Sequence, residues 1–207
     1  MPPRRHTVES IVSGLRAKIC SLDTDEPVTL HETALASEYG VSRTPVRQAL
    51  QQLAYEQLVT VRSGVGTIVV PLEEINRERD VIVTCVLLGA AADAAMDGRL
   101  PAPTQMNLAG YAGMLSAGGI EDEARYLELR SRFLETVVEA VEDTIVRGAL
   151  SAAYWRLLRW RMESFRADPK AELEWCRQLM STVLEATGTG SAKAVFEAIA
   201  LLERAAE

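Results

Sequence analysis

The fold of this chain is decided by the stretch Leu35-Ala36-Ser37-Glu38-Tyr39-Gly40-Val41-Ser42-Arg43-Thr44-Pro45-Val46-Arg47-Gln48. Gly40 suits the end of a helix, and Ser42 suits the N-cap of the next one. Pro45 falls in the first turn of that second helix, where a missing N–H does no harm. The pattern predicts a helix-turn-helix, whose second helix presents its first residues to base edges in the major groove of DNA.

The second helix of this motif combines a buried stripe with a polar outer face. Arg43 and Arg47 are four residues apart and therefore lie on one face, with Thr44 beside them. Guanidinium groups suit guanine edges and phosphate oxygens. The apolar stripe that anchors the helix consists of Val46, Ala49, Leu50 and Leu53. We therefore predict DNA contacts from the cap residue Ser42 and from Arg43, Thr44 and Arg47.

Two further helices and a hairpin complete the predicted N-terminal domain, residues 1–71. Helical spacing of apolar residues predicts a helix that starts at Thr7, and a short helix covers about Glu32 to Tyr39. After Leu58 the period changes, and two β-branched runs, 59–62 and 67–70, flank a glycine turn, which predicts a hairpin. A hairpin directly after a helix-turn-helix is the wing of a winged helix. Arg62 in this hairpin either contacts phosphate or pairs across the hairpin.

Residues 72–207 are predicted to form a second, all-helical domain. They contain no convincing strand, and their breaks separate six helices. The expected helices cover 73–97, 104–116, 120–141, 144–166, 169–186 and 191–206. The fold class is therefore mainly α: an N-terminal winged helix-turn-helix followed by an antiparallel helical bundle. In the helix 144–166 we expect Trp155, Leu158, Met162 and Phe165 to form the core or a dimer surface, and Arg156, Arg159 and Arg166 the side exposed to solvent.

Composition narrows the class of protein. The 207 residues are 48% hydrophobic with a net charge of −7, which is typical of a globular chain. Residues 1–70 hold seven basic and seven acidic side chains, so the whole acidic excess lies in the second domain. A DNA-binding face needs only a local positive cluster. No apolar run is long enough to span a bilayer and no signal peptide is evident, so we expect no membrane partner and a cytoplasmic protein.

No combination of residues indicates an enzyme. There is no phosphate-cradling glycine loop, and no Cys-His or Ser-His arrangement has supporting residues. The three cysteines, Cys20, Cys85 and Cys176, are widely spaced and odd in number. They are expected to be reduced core residues rather than a disulfide framework or a zinc site.

The segment from Val41 to Leu50 closely resembles the signature of GntR-type bacterial transcription regulators. The preceding Leu35-Ala36 and the segment 61–67 fit the same pattern, so the resemblance covers roughly residues 8–70. An all-helical C-terminal part resembles the FadR-type branch of that family. The branch with an α/β effector domain would need strands after residue 72.

The resemblance implies a homodimer on a short palindromic operator, whose DNA affinity is altered by a small molecule in the C-terminal bundle. Carried over by position, Arg43, Thr44 and Arg47 would contact bases and phosphates. Gly64 would let the wing backbone approach the minor groove. Thr33 stands where relatives commonly have a DNA-binding arginine, so that contact is lost or reduced to a hydroxyl–phosphate bond. Gln57 stands where relatives usually have glycine.

The effector domain departs from the branch at its metal site. Many members bind a metal through an aspartate and three histidines, whereas both histidines here, His6 and His31, precede the bundle. The family's Asp-x-x-Phe-His stretch aligns with 130–134, so Arg130 replaces the aspartate and Leu134 the first histidine. A later histidine position falls near Trp175. No metal and no other cofactor are expected.

These three positions are the predicted effector-binding residues, each with a simpler alternative. Arg130 either projects into the cavity left without a metal and forms a fork with a carboxylate effector, or lies on a solvated helix face. Trp175 either stacks on a ligand or is a core residue. The predicted function is a DNA-binding regulator, a repressor modulated by a carboxylate or acyl metabolite. The alternative is a constitutive repressor or architectural factor whose bundle only dimerises.

Overall fold

The computed structural model describes residues 7–22, 27–62, 66–69, 71–96, 98–120 and 122–205. The chain divides into two compact units, residues 1–73 and 74–207. In the described part, every helix is either too short or too polar to cross a membrane.

The described residues of the first unit form three helices: α1 (Val8–Ser21), α2 (Glu32–Glu38) and α3 (Arg43–Tyr55). Thr7 caps α1 as predicted, because its Oγ1 accepts a hydrogen bond from the backbone N–H of Ser10 at 3.2 Å. The apolar faces of α1 and α3 pack against each other. The core contributed by these helices consists of Ile11, Val12, Leu15, Ile19, Leu35, Val46, Ala49, Leu50 and Leu53.

Among the described residues, the first unit also contains a three-stranded antiparallel sheet, of which two strands follow the helix-turn-helix. The predicted hairpin is present as β2 (Val59–Arg62) and β3 (Gly66–Val69), with Val59 opposite Val69 and Arg62 opposite Gly66. A third strand, β1 (Val28–Leu30), pairs with the other edge of β3 and was not predicted. Three residues are too few to show an alternating pattern, so only the pairing with β3 defines this strand. Gly64, the predicted wing-tip contact, lies outside the described residues.

Gly40 and Gln57 of the first unit both adopt the left-handed backbone conformation. Gly40 has φ of 63° and ends the α2 turn, where the N–H of Val41 donates to the Ala36 carbonyl at 3.0 Å. Gln57 has φ of 58° at the end of α3, where its N–H donates to the Ala54 carbonyl at 3.1 Å. Glycine adopts this conformation without strain, which gives a physical reason for glycine at the position of Gln57 in relatives.

Gln57→Gly is expected to stabilise the first unit by about 0.5–1 kcal/mol, because it relieves a left-handed non-glycine residue. Gly40→Ala is the opposite change at nearly the same φ, and should destabilise the unit by about 1 kcal/mol. Amide hydrogen exchange of peptides that cover α3 measures both. Exchange should slow in the first variant and accelerate in the second; a change in the same direction in both would contradict the strain argument.

The second unit is helical, and its helices occur where the sequence predicts them, with ends that differ by a few residues. A short 3₁₀ turn (Glu74–Asn76) precedes the first long helix. Outside one isolated bridge, Arg99 with Ser191, no extended pairing occurs in the described part of this unit. Its helices are α4 (Arg77–Ala95), α5 (Ala102–Ser116), α6 (Glu123–Glu139), α7 (Thr144–Ala167), α8 (Pro169–Gly188) and α9 (Ala192–Ala205).

The prediction of a solvent-exposed arginine side on α7 is wrong. This helix packs against α4, α6 and α8, so most of its surface is covered. Arg159 is buried, and Arg156 forms an ion pair with the buried Asp80 at 2.8 Å. Arg166 binds the Glu123 carboxylate of α6. The apolar positions of α7, Trp155, Leu158, Met162 and Phe165, are core residues.

Candidate nucleic-acid interface and buried charge network

The first two turns of α3 present the predicted DNA-reading residues to solvent. Arg43, Thr44 and Arg47 are all exposed, while Val46 beneath them is fully buried and fixes the helix. Ser42 occupies the N-cap position in extended backbone conformation, although its side chain makes no capping hydrogen bond. The local sequence thus produces a rigid helix start with three polar side chains on its outer face.

Arg47 is held by a carboxylate of the preceding helix. Its Nε and Nη2 donate to the two oxygens of Glu32 at 3.0 and 2.8 Å. The hydrogen bond from Arg47 lowers the pKa of Glu32, and the charges of Arg47 and Arg43 act in the same direction. A guanidinium has five N–H donors, so this fork orients the side chain and leaves three donors for another acceptor. Glu32 was not among the predicted site residues.

Two further residues predicted to contact DNA, Thr33 and Arg62, are among the described residues. Thr33, the second residue of α2, is exposed, so its hydroxyl is accessible. Arg62 is exposed at the end of β2 opposite Gly66. Within the described residues Arg62 forms no ion pair with a carboxylate.

In the second unit, the structure brings two of the three predicted effector residues together. Arg130 on α6 is 1% exposed, so its interpretation as a solvated residue is wrong. The guanidinium carbon of Arg130 lies 5.0 Å from the ring centre of Trp175. Leu134 lies one turn further along α6 and is buried. Arg130 nevertheless forms its ion pair with a carboxylate of the chain itself.

That carboxylate is Glu203 of α9, which is completely buried. It accepts hydrogen bonds from Arg130 Nη2 at 2.9 Å, from the Tyr154 hydroxyl at 3.2 Å, and from Arg161 Nε and Nη2 at 3.1 and 2.9 Å. Burial alone would raise the pKa of Glu203, but the charges of Arg161 and Arg130 outweigh it and hold the pKa below its ordinary value. Glu203 is therefore ionised.

A second carboxylate, Glu172 of α8, extends this network. It accepts a hydrogen bond from Tyr126 at 2.5 Å and lies 3.8 Å from Nη1 of Arg161. The guanidinium of Arg161 is 3.8 Å from the ring centre of Trp175, so the indole has contacts with both buried arginines. Two guanidiniums thus face two carboxylates, and the formal charge of this interior cluster is balanced.

The donor set at this place does not fit the metal implied by the branch. A cation would meet the buried guanidinium of Arg130 in place of a carboxylate, and Leu134 offers no ligand atom. No group of three or more potential histidine, cysteine or carboxylate ligands occurs in the part of the chain that the structure describes. The Cys176 thiol of this region stays protonated, because burial raises its pKa to about 11 even with Arg130 nearby.

A cavity of about 490 Å³ opens beside the network. It lies within the second unit, between the start of α4, the second half of α7 and the start of α8. Of the predicted effector residues, Trp175 lines it, whereas Arg130 and Leu134 do not. The side chains that line it include Arg77, Trp160, Arg161, Ser164, Glu172 and Trp175.

Sequence reasoning missed the partners of Arg130, although the sequence carries a signal for them. Arg161 follows Leu157 and Leu158 at helical spacing on the buried face of α7. Glu203 similarly follows Phe196 and Ile199 on the apolar face of α9. A charged residue within an apolar stripe is rarely buried unless it is paired, so such positions indicate an internal ion pair.

A helix start with exposed arginines, followed by the β2–β3 hairpin, defines a winged helix-turn-helix DNA-binding domain. Residues 7–69 match the sequence profile of bacterial regulatory proteins of the gntR family. The N-terminal unit is therefore a DNA-binding domain of the gntR family of bacterial regulatory proteins, and the all-helical second unit agrees with the FadR-type branch. No curated protein matches the chain.

Solved structures share the complete fold at low sequence identity. E. coli McbR/YncC matches with a TM-score of 0.65 and 16% identity, over 96% of this chain and 94% of that chain. A structural-genomics crystal structure of a transcriptional regulator GntR from Rhodococcus sp. RHA1 matches with a TM-score of 0.58 and 14% identity, with the same coverage. At such identities the likeness concerns the fold of the chain.

Proposed function

We propose that this protein is a cytoplasmic, sequence-specific repressor that binds a palindromic operator as a homodimer. The observation that carries the proposal is the exposed pair Arg43 and Arg47 on the first two turns of α3. These arginines read base edges, while Ser42, Thr33 and Arg62 contact phosphates. A two-fold dimer matches the two-fold symmetry of a palindromic site.

A small molecule bound in the second unit modulates DNA affinity in this proposal. Its support is the cavity of about 490 Å³, within the usual range for small-molecule sites, and a carboxylate or acyl metabolite is the expected class. A ligand shifts DNA affinity only through its differential affinity for two states of the protein. The affinity for DNA from upstream of its own gene, measured with and without such ligands, tests the modulation.

A constitutive repressor is the second candidate, favoured by the balanced network around Glu203. Every charge of that cluster has a partner of opposite sign in the chain itself, so the interior is compensated without a ligand. The two candidates differ in one measurement. A constitutive repressor binds its operator equally well in the presence of every metabolite, whereas a modulated one loses affinity with at least one of them.

Divalent metal is expected to leave the second unit unchanged, because Arg130 and Leu134 replace the ligands of the branch. Thermal unfolding with and without excess zinc or nickel should differ by less than about 2 °C, since a ligand stabilises only a folded state that binds it. The matched sample contains a chelator. A large rise in the unfolding temperature with metal alone would show that the second unit binds a metal despite Arg130 and Leu134.

A further inference from the structure

We propose that the cavity beside Trp175 binds a small zwitterion of the amino-acid type, with its carboxylate on arginine and its ammonium on the acidic rim. This inference rests on the proposed function, since it names the effector class for the second unit. It places the ligand on the cavity side of Trp175, away from the position that Arg130 and Leu134 occupy.

The anchor for the carboxylate is the buried guanidinium of Arg161. Its Nε and Nη2 are committed to Glu203, but Nη1 lies 3.8 Å from Glu172, which is an ion pair and too long for a hydrogen bond. Nη1 therefore has no hydrogen-bond acceptor within 3.5 Å among the described residues. Arg77 and Ser164, which are joined by a 2.9 Å hydrogen bond, line the same cavity and supply further donors.

The ammonium has acidic partners on the rim. Glu74 lines the cavity with its side chain 77% exposed, and its only ion pair in the described chain is the 3.5 Å contact with Arg77. Glu163, paired with Arg166, also lines it. The other two lining carboxylates have internal roles: Asp168 caps α8, and Glu172 accepts from Tyr126.

The charges that line the cavity disfavour ligands that carry one sign only. Four carboxylates and two guanidiniums line the cavity, so a simple anion meets net repulsion. A simple cation would bind most favourably over an aromatic ring, but both indole rings of the cavity already contact arginines. The guanidinium carbon of Arg161 lies 3.8 Å from the ring centre of Trp175, and that of Arg77 lies 5.7 Å from the ring centre of Trp160. A ligand with both charges satisfies both sets of groups at once.

The body of the ligand contacts apolar surface. Trp160, Ala167, Ala171 and Trp175 line the cavity between the charged groups. This lining suits an apolar or aromatic side chain, in a volume of about 490 Å³. Among amino acids, those with apolar side chains are therefore expected to bind more tightly than charged ones.

Calorimetry and thermal unfolding of the full-length protein with each of the twenty common L-amino acids test the proposal. At least one apolar amino acid should bind. Its deaminated acid and its decarboxylated amine, the matched probes with one charge each, should bind at least about tenfold more weakly, since each loses a charge-assisted contact. Failure of all twenty to bind, or equal binding of the deaminated acid, would overturn the zwitterion proposal.

Variants locate the site. Arg77→Gln and Glu74→Gln should each weaken binding of that amino acid by about fivefold or more, the scale of one lost charged contact. Ser164→Ala is a smaller change in the same cavity and provides a second test of the location if Arg77→Gln folds poorly. Arg132→Gln removes an exposed arginine of α6 and is the control, with unchanged binding. Binding unaffected by the first three variants would overturn the location.

Ligand-binding titrations, combined with DNA-affinity measurements in the presence of the same ligands, separate this inference from the proposed function. An amino acid that binds at the cavity without changing DNA affinity leaves the site standing and contradicts modulation. Another metabolite that changes DNA affinity, while no amino acid binds, supports modulation and overturns the zwitterion site.

Discussion

Glu203→Gln is expected to destabilise the second unit by about 3–5 kcal/mol, which is the usual cost of removing one partner of a buried ion pair. Glutamine keeps the volume but removes the charge that faces Arg130 and Arg161. Both guanidiniums would then remain buried with one carboxylate, Glu172, at 3.8 Å from one of them. The Nε and Nη1 atoms of Arg130 already lack a hydrogen-bond partner among the described residues, so little compensation is available. Urea or thermal unfolding of the full-length protein measures the change.

Glu128→Gln provides the matched control. Glu128 forms an ion pair with Arg132 in which both side chains are more than half exposed. Exposed pairs contribute at most about 1 kcal/mol, so this substitution should leave the unfolding free energy nearly unchanged. Equal effects of the two glutamate substitutions would show that the Glu203 cluster stabilises the unit no more than a surface pair does.

The pH dependence of stability follows from the same residue. The folded pKa of Glu203 is below its ordinary value of 4.5, so its contribution is fully present above that pH. It is lost as the pH falls through the folded pKa, because protonation removes the negative charge. The free energy of unfolding of the wild type should therefore decrease below about pH 4.5, and its difference from Glu203→Gln should narrow. A difference that stays constant down to pH 3 would contradict the assignment.

Arg47→Ala has the largest effect expected on DNA binding. Loss of one bidentate base contact should cost about 1–3 kcal/mol and relax sequence preference at one position of each half-site. Fluorescence anisotropy with operator DNA and with single-base variants of it measures both quantities. Arg132→Gln again serves as the control, with unchanged affinity. Unchanged affinity and unchanged preference in Arg47→Ala would remove this residue from the interface.

Glu32→Gln separates positioning from contact. Removal of a negative charge near the phosphates should strengthen binding to random DNA, whereas loss of the charged fork should leave Arg47 less well oriented. The ratio of specific to random affinity is therefore expected to fall, and the salt dependence to steepen. A ratio equal to that of the wild type would show that the fork with Glu32 has no role in recognition.

The DNA-binding unit was readable from the sequence because its determinants are local. A glycine, a cap residue and a proline define the turn before α3, and the alternation after Leu58 defines the hairpin. β1 was not readable, because a strand of three residues exists only through its pairing with β3. The resemblance marks Gln57 as a position where relatives usually have glycine. The positive φ of this residue is the physical reason for that preference.

The interior of the second unit was less predictable, because its contacts join distant parts of the chain. Arg130 and Glu203 are 73 positions apart, and no local pattern indicates which carboxylate faces which arginine. The helical spacing of apolar residues in α7 and α9 places Arg161 and Glu203 on buried faces. This spacing indicates that both charges are buried, but not which residues they pair with. Arg159 was misassigned because the sequence does not show that α7 has neighbours on several sides.

Sequence-specific recognition is tested most directly by anisotropy titration of the full-length protein against the proposed palindromic operator, taken from the DNA upstream of its own gene. A scrambled duplex of the same length and composition is the comparison, at physiological salt. We expect affinity at least about 10³-fold higher for the palindrome, as is usual for specific recognition, and loss of most of that difference in the double variant of Arg43 and Arg47. Equal affinity of the wild type for the two duplexes would contradict the assignment of the α3 surface as a sequence-reading interface.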